Sequence, residues 1–244
     1  MYDIKFDIRV FRAPDDLDAC AKYVEGHMDV LRSFGITMIT SANTEWFHDE
    51  NTYVITIQQP GNNEIISGGA RVQLVSKNYP LPIEKALSKF DPNIHKMVSK
   101  LSSNGTGELC GLWNSREVAG LGLGARYLGW IGIAISTQLH LNTLFALCAP
   151  ATVKSSVKMG FLVETSLGNN GTFYYPKEDL IATAAVVNDV PTLSTAGIEE
   201  RNKIMDLRKN PVQNKIELGP RGQVMNINYN LEIANLTFNQ LSLK

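Results

Sequence analysis

Arg116-Glu117-Val118-Ala119-Gly120-Leu121-Gly122-Leu123-Gly124-Ala125 is the stretch on which the reading of this sequence turns. It lies between an apolar run ending near Trp113 and a long apolar segment, Leu121 to Leu139. The patterns predict a strand over 107–113 and a helix over 121–139, so the glycines fall on a strand-to-helix turn. Glycine there lets the backbone approach a ligand closely. The unpaired amides at the helix start point outward, and the helix dipole favours negative charge. The main chain from Val118 to Ala125 thus reads as a pyrophosphate cradle. Two other phosphate loops do not fit. Gly-Lys-Ser/Thr is absent, and Gly120, Gly122 and Gly124 alternate instead of following Gly-x-Gly-x-x-Gly. Tight packing of a helix on a sheet would call for the same glycines, and the turn alone does not choose.

The 244 residues are 44% hydrophobic and 19% charged, which excludes a disordered, collagenous or disulfide-stapled chain. A formal net charge of -1 argues against a globally basic nucleic-acid binder. Cys20, Cys110 and Cys148 lack zinc-ligand spacing, and His27, His48, His95 and His140 show no ligand pattern, so no metal is expected. The cysteines read as reduced thiols of a cytoplasmic protein. Met1 to Lys5 lacks the features of an export signal. The 121–139 run contains four glycines and Arg126, and is expected to be a buried helix, not a membrane span. The sequons at Asn104, Asn170 and Asn235 matter only outside the cytosol.

Outward from the glycine turn, alternation predicts a strand over Ile4 to Val10. Asp15 or Asp16 is expected to cap a helix whose inner face carries Leu17, Cys20, Ala21, Val24, Met28 and Leu31. Ser41 to Asn51 reads as a functional loop or a short helix. Strands over 53–57 and 65–75 flank Pro60-Gly61-Asn62-Asn63, the signature of an antiparallel hairpin. Helical periodicity over 82–101 breaks at Asp91-Pro92. Beyond the glycine turn come a strand (143–149), a short helix (151–159), and strands over 161–165, 172–175 and 183–190. This order predicts an α/β or α+β domain over 1–198, three layers thick, with a mixed sheet. Residues 199–244 are read as a C-terminal extension, in which Met225 to Ile233 alternates like an edge strand.

The glycine turn resembles the acetyl-CoA-binding motif of the GNAT superfamily of N-acyltransferases. Glu117, Gly120, Gly122 and Gly124 match that motif, while Ala119 and Leu121 stand where basic or amide side chains are common. Val157-Lys158-Met159-Gly160-Phe161 is similar to the end of the family's next helix, with Ser156 where many members carry a general-acid Tyr. Upstream, Gly68-Gly69-Ala70-Arg71-Val72, Tyr79-Pro80-Leu81-Pro82-Ile83-Glu84 and Glu108-Leu109-Cys110-Gly111-Leu112 resemble the autoinducer (acyl-homoserine-lactone) synthase and N-acyl amino acid synthase branch. Gly111 replaces that branch's Arg. The resemblance covers about residues 20 to 175 and implies a GNAT-like fold with a mostly antiparallel central sheet flanked by helices.

The resemblance implies direct acyl transfer from acyl-CoA or acetyl-CoA, or from an acyl carrier protein, to the amine of a small molecule. In that reading Leu112, Trp113 and Asn114 form a splayed strand that binds pantetheine and offers an N–H to the oxyanion. Glu108 is the candidate general base. Arg71 is the candidate to bind a substrate carboxylate or to orient Glu108. The competing reading is an exposed or salt-bridged strand carboxylate for Glu108 and a plain ion pair for Arg71. Cys110 and Cys148 read as inert thiols, and Trp113 and Trp130 as core. Trp46, Phe47 and Asp49 either gate the acceptor or form a surface loop. Arg126, Lys154 and Lys158 either meet CoA or a carrier protein or form a solvated face. A non-catalytic acyl-CoA or small-molecule binding protein on the same fold is the alternative.

Overall fold

A computed structural model describes residues 4–36, 44–62 and 64–234. Alternation makes the first strand: Phe6, Ile8 and Val10 are buried along β1 (Ile4–Arg12). Of the two candidate caps, Asp16 is the one used. Its carboxylate accepts the Ala19 amide at 3.0 Å and starts α1 (Leu17–Ser33). The inward stripe of α1 is Cys20, Tyr23, Val24 and His27, while Leu17 and Ala21 are exposed, contrary to expectation. Tyr and His have apolar bodies with polar tips, so a purely apolar repeat misses them.

The other elements form close to where the patterns put them. They are β2 (Thr52–Gln58), β3 (Ile66–Leu74), α2 (Pro82–Leu87), α3 (Asn93–Ser102), β4 (Thr106–Asn114), α4 (Leu128–Gln138), β5 (Thr143–Cys148), α5 (Pro150–Lys158), β6 (Leu162–Val163), β7 (Thr172–Tyr174) and β8 (Ile181–Val187). Then follow α6 (Ile198–Lys209), β9 (Val212–Leu218) and β10 (Val224–Asn230). Asn63 of the hairpin turn, Ser41 to Asn43 and the Asn235 sequon lie outside the described residues. One sheet runs β6-β8-β5-β4-β3-β2-β1-β10-β9, with β7 beside β8. Among the described residues only β4–β5 and β1–β10 pair parallel. One face carries α4, α5 and α6, and the other α1, α2 and α3. The result is a three-layer α/β fold around a mostly antiparallel sheet.

The C-terminal segment contributes to the same core. Met225, Ile227, Tyr229, Ile204 and Leu207 join the cluster built on α4. The strand expected at the edge, β10, is internal, because β1 pairs with it on one side and β9 on the other. Glu217 of β9 anchors this region. It is buried, meets Lys203 of α6 at 2.6 Å, and accepts the hydroxyls of Tyr229 (3.3 Å) and Tyr127 (3.5 Å). Glu217→Ala strands Lys203 and the Tyr229 hydroxyl, so urea unfolding is expected to show a loss of about 3 kcal/mol. The double change Lys203→Met, Glu217→Leu is expected to recover most of it. An unchanged urea midpoint for Glu217→Ala would mean that the network adds no stability.

Candidate active site

The sheet divides beyond Glu108. Strands β4 and β5 pair only at Thr106–Thr143, Gly107–Leu144 and Glu108–Phe145. Past that point β5 stays with β8 and β4 stays with β3. On the β3 side the register shifts between Cys110 and Trp113, where Gly111 and Leu112 oppose Ala70 alone. Gly111 adopts φ +59°, which favours glycine, and a Cβ there would lie 2.3 Å from the Tyr23 hydroxyl. That hydroxyl donates to the Gly111 carbonyl at 2.6 Å. Glycine at this position therefore gives Tyr23 and the Arg71 side chain their room.

The gap between the strands opens a cavity of about 380 Å³. Leu109 to Leu112 and Ala146 to Cys148 form its two strand walls, and Ala125 and Gly129 connect it to the glycine turn. At that turn Gly120 and Gly122 have φ +85° and +83°, and Leu123–Tyr127 is a π-helical turn leading into α4. The Ala119 and Leu121 amides are used locally, bonding to the carbonyls of Arg116 (3.2 Å) and Val118 (3.3 Å). The amides of Gly122, Leu123, Gly124 and Ala125 find no acceptor among the described residues. They are a set of free donors at the start of α4, suited to an anion.

Glu108 and Arg71 line the same cavity. Both are buried, and they do not form a salt bridge with each other. Glu108 Oε2 accepts the Ile83 amide at 2.7 Å. Burial pushes its carboxyl up to about 8, against the opposing effects of the Ile83 amide and Arg71. Arg71 Nε and Nη1 are buried without a hydrogen-bond partner. Its guanidinium lies over the Trp46 ring, 4.3 Å from the centroid. His27 also lines the cavity, stacked on Trp113 with the rings 12° from parallel, and burial lowers its pKa to about 4.

Search of solved structures finds FeeM, an N-acyl amino acid synthase from uncultured soil microbes, at 14% identity and TM-score 0.57, over 79% of this chain and 96% of that one. MesI, a CoA-dependent acyl-homoserine lactone synthase, matches at 13% and 0.51, over 83% and 95%. An acyl-CoA N-acyltransferase from Pseudomonas aeruginosa matches at 12% and 0.51, over 74% and 98%. No family model and no curated protein matches the sequence.

The chain shares the fold of these acyltransferases. In this frame the sequence-derived site residues fall into two groups. Leu112, Ala125, Glu108 and Arg71 reach the cavity. Trp113 does not, because its indole packs on α1, where a Cβ on Gly26 would lie 2.1 Å from the ring. Asn114 sits against Gly124 and donates from Nδ2 to the Ser115 carbonyl, away from the cavity wall. The Val118 side chain is in the core, leaving only its backbone to the loop. Trp130 is core too. Arg126 stacks on it and pairs with Glu199 of α6 at 2.8 Å.

Asp49 is a local turn residue that binds the Asn51 amide (3.0 Å) and the Thr52 hydroxyl (2.9 Å). Trp46 is buried in a single 3-10 turn, Glu45–His48, and lines the cavity. Ser156 lines it as well. It donates to the Thr152 carbonyl at 3.1 Å and accepts from the Cys148 thiol at 3.4 Å. Burial raises both Cys110, to about 12, and Cys148, so neither thiol is an activated nucleophile. His27 was missed as a cavity residue, and Tyr23 as the side chain that bonds to Gly111 behind the cavity wall. Their spacing with Cys20 and Val24 on one helix face was the available signal. Among the described residues, no group of three or more His, Cys, Asp or Glu side chains is arranged to hold a metal ion. No described helix is long and apolar enough to cross a membrane.

Proposed function

We propose that this chain is an N-acyltransferase that moves an acyl group from a CoA or carrier-protein thioester directly to the amine of a small, carboxylate-bearing acceptor. The observation that carries the reading is a buried carboxyl and a buried guanidinium, with Nε and Nη1 unpartnered among the described residues, lining one cavity between β4 and β5. The donor's diphosphate lies on the free amides of residues 122–125, and its pantetheine follows β4 into the gap. Arg71 takes the acceptor carboxylate, an anion that supplies the missing hydrogen bonds. Glu108 removes a proton from the acceptor ammonium. The amine attacks the thioester carbonyl, with an N–H of the β4 bulge facing the developing oxyanion. The carbon–sulfur bond then breaks, and the thiolate takes the remaining surplus proton from nitrogen.

The cavity is large for a two-carbon group and is lined by Leu31, Ala146, Leu147 and Leu180, which favours acyl chains longer than acetyl. The FeeM and MesI likenesses support a synthase-like acceptor chemistry. A panel of acyl-CoAs of increasing chain length, mixed with amino acids and followed by thiol release and product mass, tests the reading. Thiol release that requires a carboxylate-bearing amine supports it. Absence of turnover together with absence of CoA binding overturns it. Ser156 in the place of the family's Tyr favours one second reading, a non-catalytic acyl-CoA-binding protein. That reading expects tight CoA binding with no acceptor-dependent thiol release.

A further inference from the structure

Between Val118 and Ala125 the glycine turn carries no cation, and Arg116 stands just before that span. Ala119 and Leu121 are apolar, and Arg126 is held by Glu199 and Trp130. What stands beside the turn is the β9–β10 hairpin, contributed by the C-terminal segment. The Pro220 ring packs on the turn so closely that a Cβ on Gly122 would lie 3.0 Å from it. Tyr127, at the end of the π-helical turn, donates its hydroxyl to the Leu218 carbonyl at 3.0 Å. Gln223 bridges the two segments. Its Oε1 accepts the Arg221 amide at 3.0 Å, and its Nε2 donates to the Gly120 carbonyl at 3.5 Å. The Gly219 amide donates to the Gln223 carbonyl at 2.8 Å and closes the turn. Arg221 Nη1 then lies 4.0 Å from the point where Gly120 would carry a Cβ. The Arg221 side chain is exposed and has no ion pair among the described residues.

We infer that the β9–β10 hairpin completes the donor site, with Arg221 binding the diphosphate of CoA beside the free amides of residues 122–125 and Gln223 holding Arg221 in place. The inference rests on the acyltransferase reading above, and extends it to a segment that lies outside the glycine motif. The amides supply directional donors, and Arg221 supplies the full charge that the apolar positions 119 and 121 leave out. The hairpin turn is thereby a functional part of the fold and more than a cover for the sheet edge.

The test compares the full-length protein with Arg221→Ala, Arg221→Lys and Gln223→Ala. Affinities are measured for CoA, for dephospho-CoA, which lacks the 3′-phosphate, and for pantetheine, which lacks the diphosphate. Arg221→Ala is expected to weaken CoA and dephospho-CoA equally, by about tenfold at low salt. The loss shrinks as salt rises. Arg221→Lys recovers part of it, and Gln223→Ala shows a smaller loss of the same pattern. Pantetheine binding and turnover of acyl-pantetheine stay at the parent level. Unchanged CoA affinity in Arg221→Ala overturns the assignment while leaving the acyltransferase reading intact. A loss for CoA but not for dephospho-CoA overturns it too, because the contact would be to the 3′-phosphate. If the parent protein neither binds CoA nor turns over acyl-pantetheine, the underlying reading fails, and this inference fails with it.

Discussion

Glu108→Gln is expected to lower turnover by about two to four orders of magnitude while leaving CoA affinity unchanged. Gln keeps the shape and can still accept the Ile83 amide, but it cannot take the ammonium proton. The parent kcat/KM is expected to rise with pH and level off above about 8, as the buried carboxyl ionises. In the Gln variant that limb disappears. Stability follows with a defined sign. The folded state holds the proton up to about 8, whereas the unfolded chain releases it near 4.5. Between those values folding binds a proton, so the parent loses up to about 1.4 kcal/mol of stability per pH unit as pH rises. The Gln variant does not, so the difference in thermal midpoint should favour it increasingly toward pH 8 and vanish below pH 4.5. A Gln variant with full turnover and an intact pH limb would remove Glu108 from the chemistry.

Arg71→Met separates function from stability in the opposite way. The guanidinium is buried beside the Tyr23 hydroxyl, and among the described residues its Nε and Nη1 have no acceptor and no salt bridge compensates its charge. The Trp46 ring, worth about 2 kcal/mol, and the Tyr23 hydroxyl offset part of the several kcal/mol that burying an unpaired ion costs. Arg71→Met should therefore raise the thermal midpoint. The same change should reduce kcat/KM for a carboxylate-bearing acceptor by about a hundredfold or more, with donor affinity unaltered. Amines lacking a carboxylate should lose far less. A lower midpoint with an unaltered acceptor dependence would make Arg71 a structural cation and would remove the main argument for the acceptor class. Residues held at such a cost in the free protein are characteristic of binding sites, where the ligand supplies what the fold withholds.

Most elements were legible because they rest on short-range physics. Alternation in β1, the Asp16 cap, the Pro-Gly hairpin signal and the break at Asp91-Pro92 each involve residues within a few positions of one another. The glycine turn was legible for the same reason, since positive φ at Gly120 and Gly122 is a property of single residues. Glu108 and Arg71 could be picked out as candidates by residue type and motif. Their lack of an ion pair could not, because it depends on every other group that reaches the cavity.

The division between chain and fold follows sequence separation. Tyr23 meets Gly111 across 88 positions, and Gln223 meets Gly120 across 103. No periodicity within one element encodes such pairs. They are selected only when the whole sheet closes and the entropy of joining distant segments is repaid by shared burial. The split between β4 and β5, the burial that shifts Glu108, and the docking of Pro220 on Gly122 all belong to that stage. Local spacing was enough to mark a strand, a glycine turn and a helix as a phosphate cradle. Packing alone decided that Glu108 and Arg71 stay without an ion pair, and those two groups carry the chemistry proposed here.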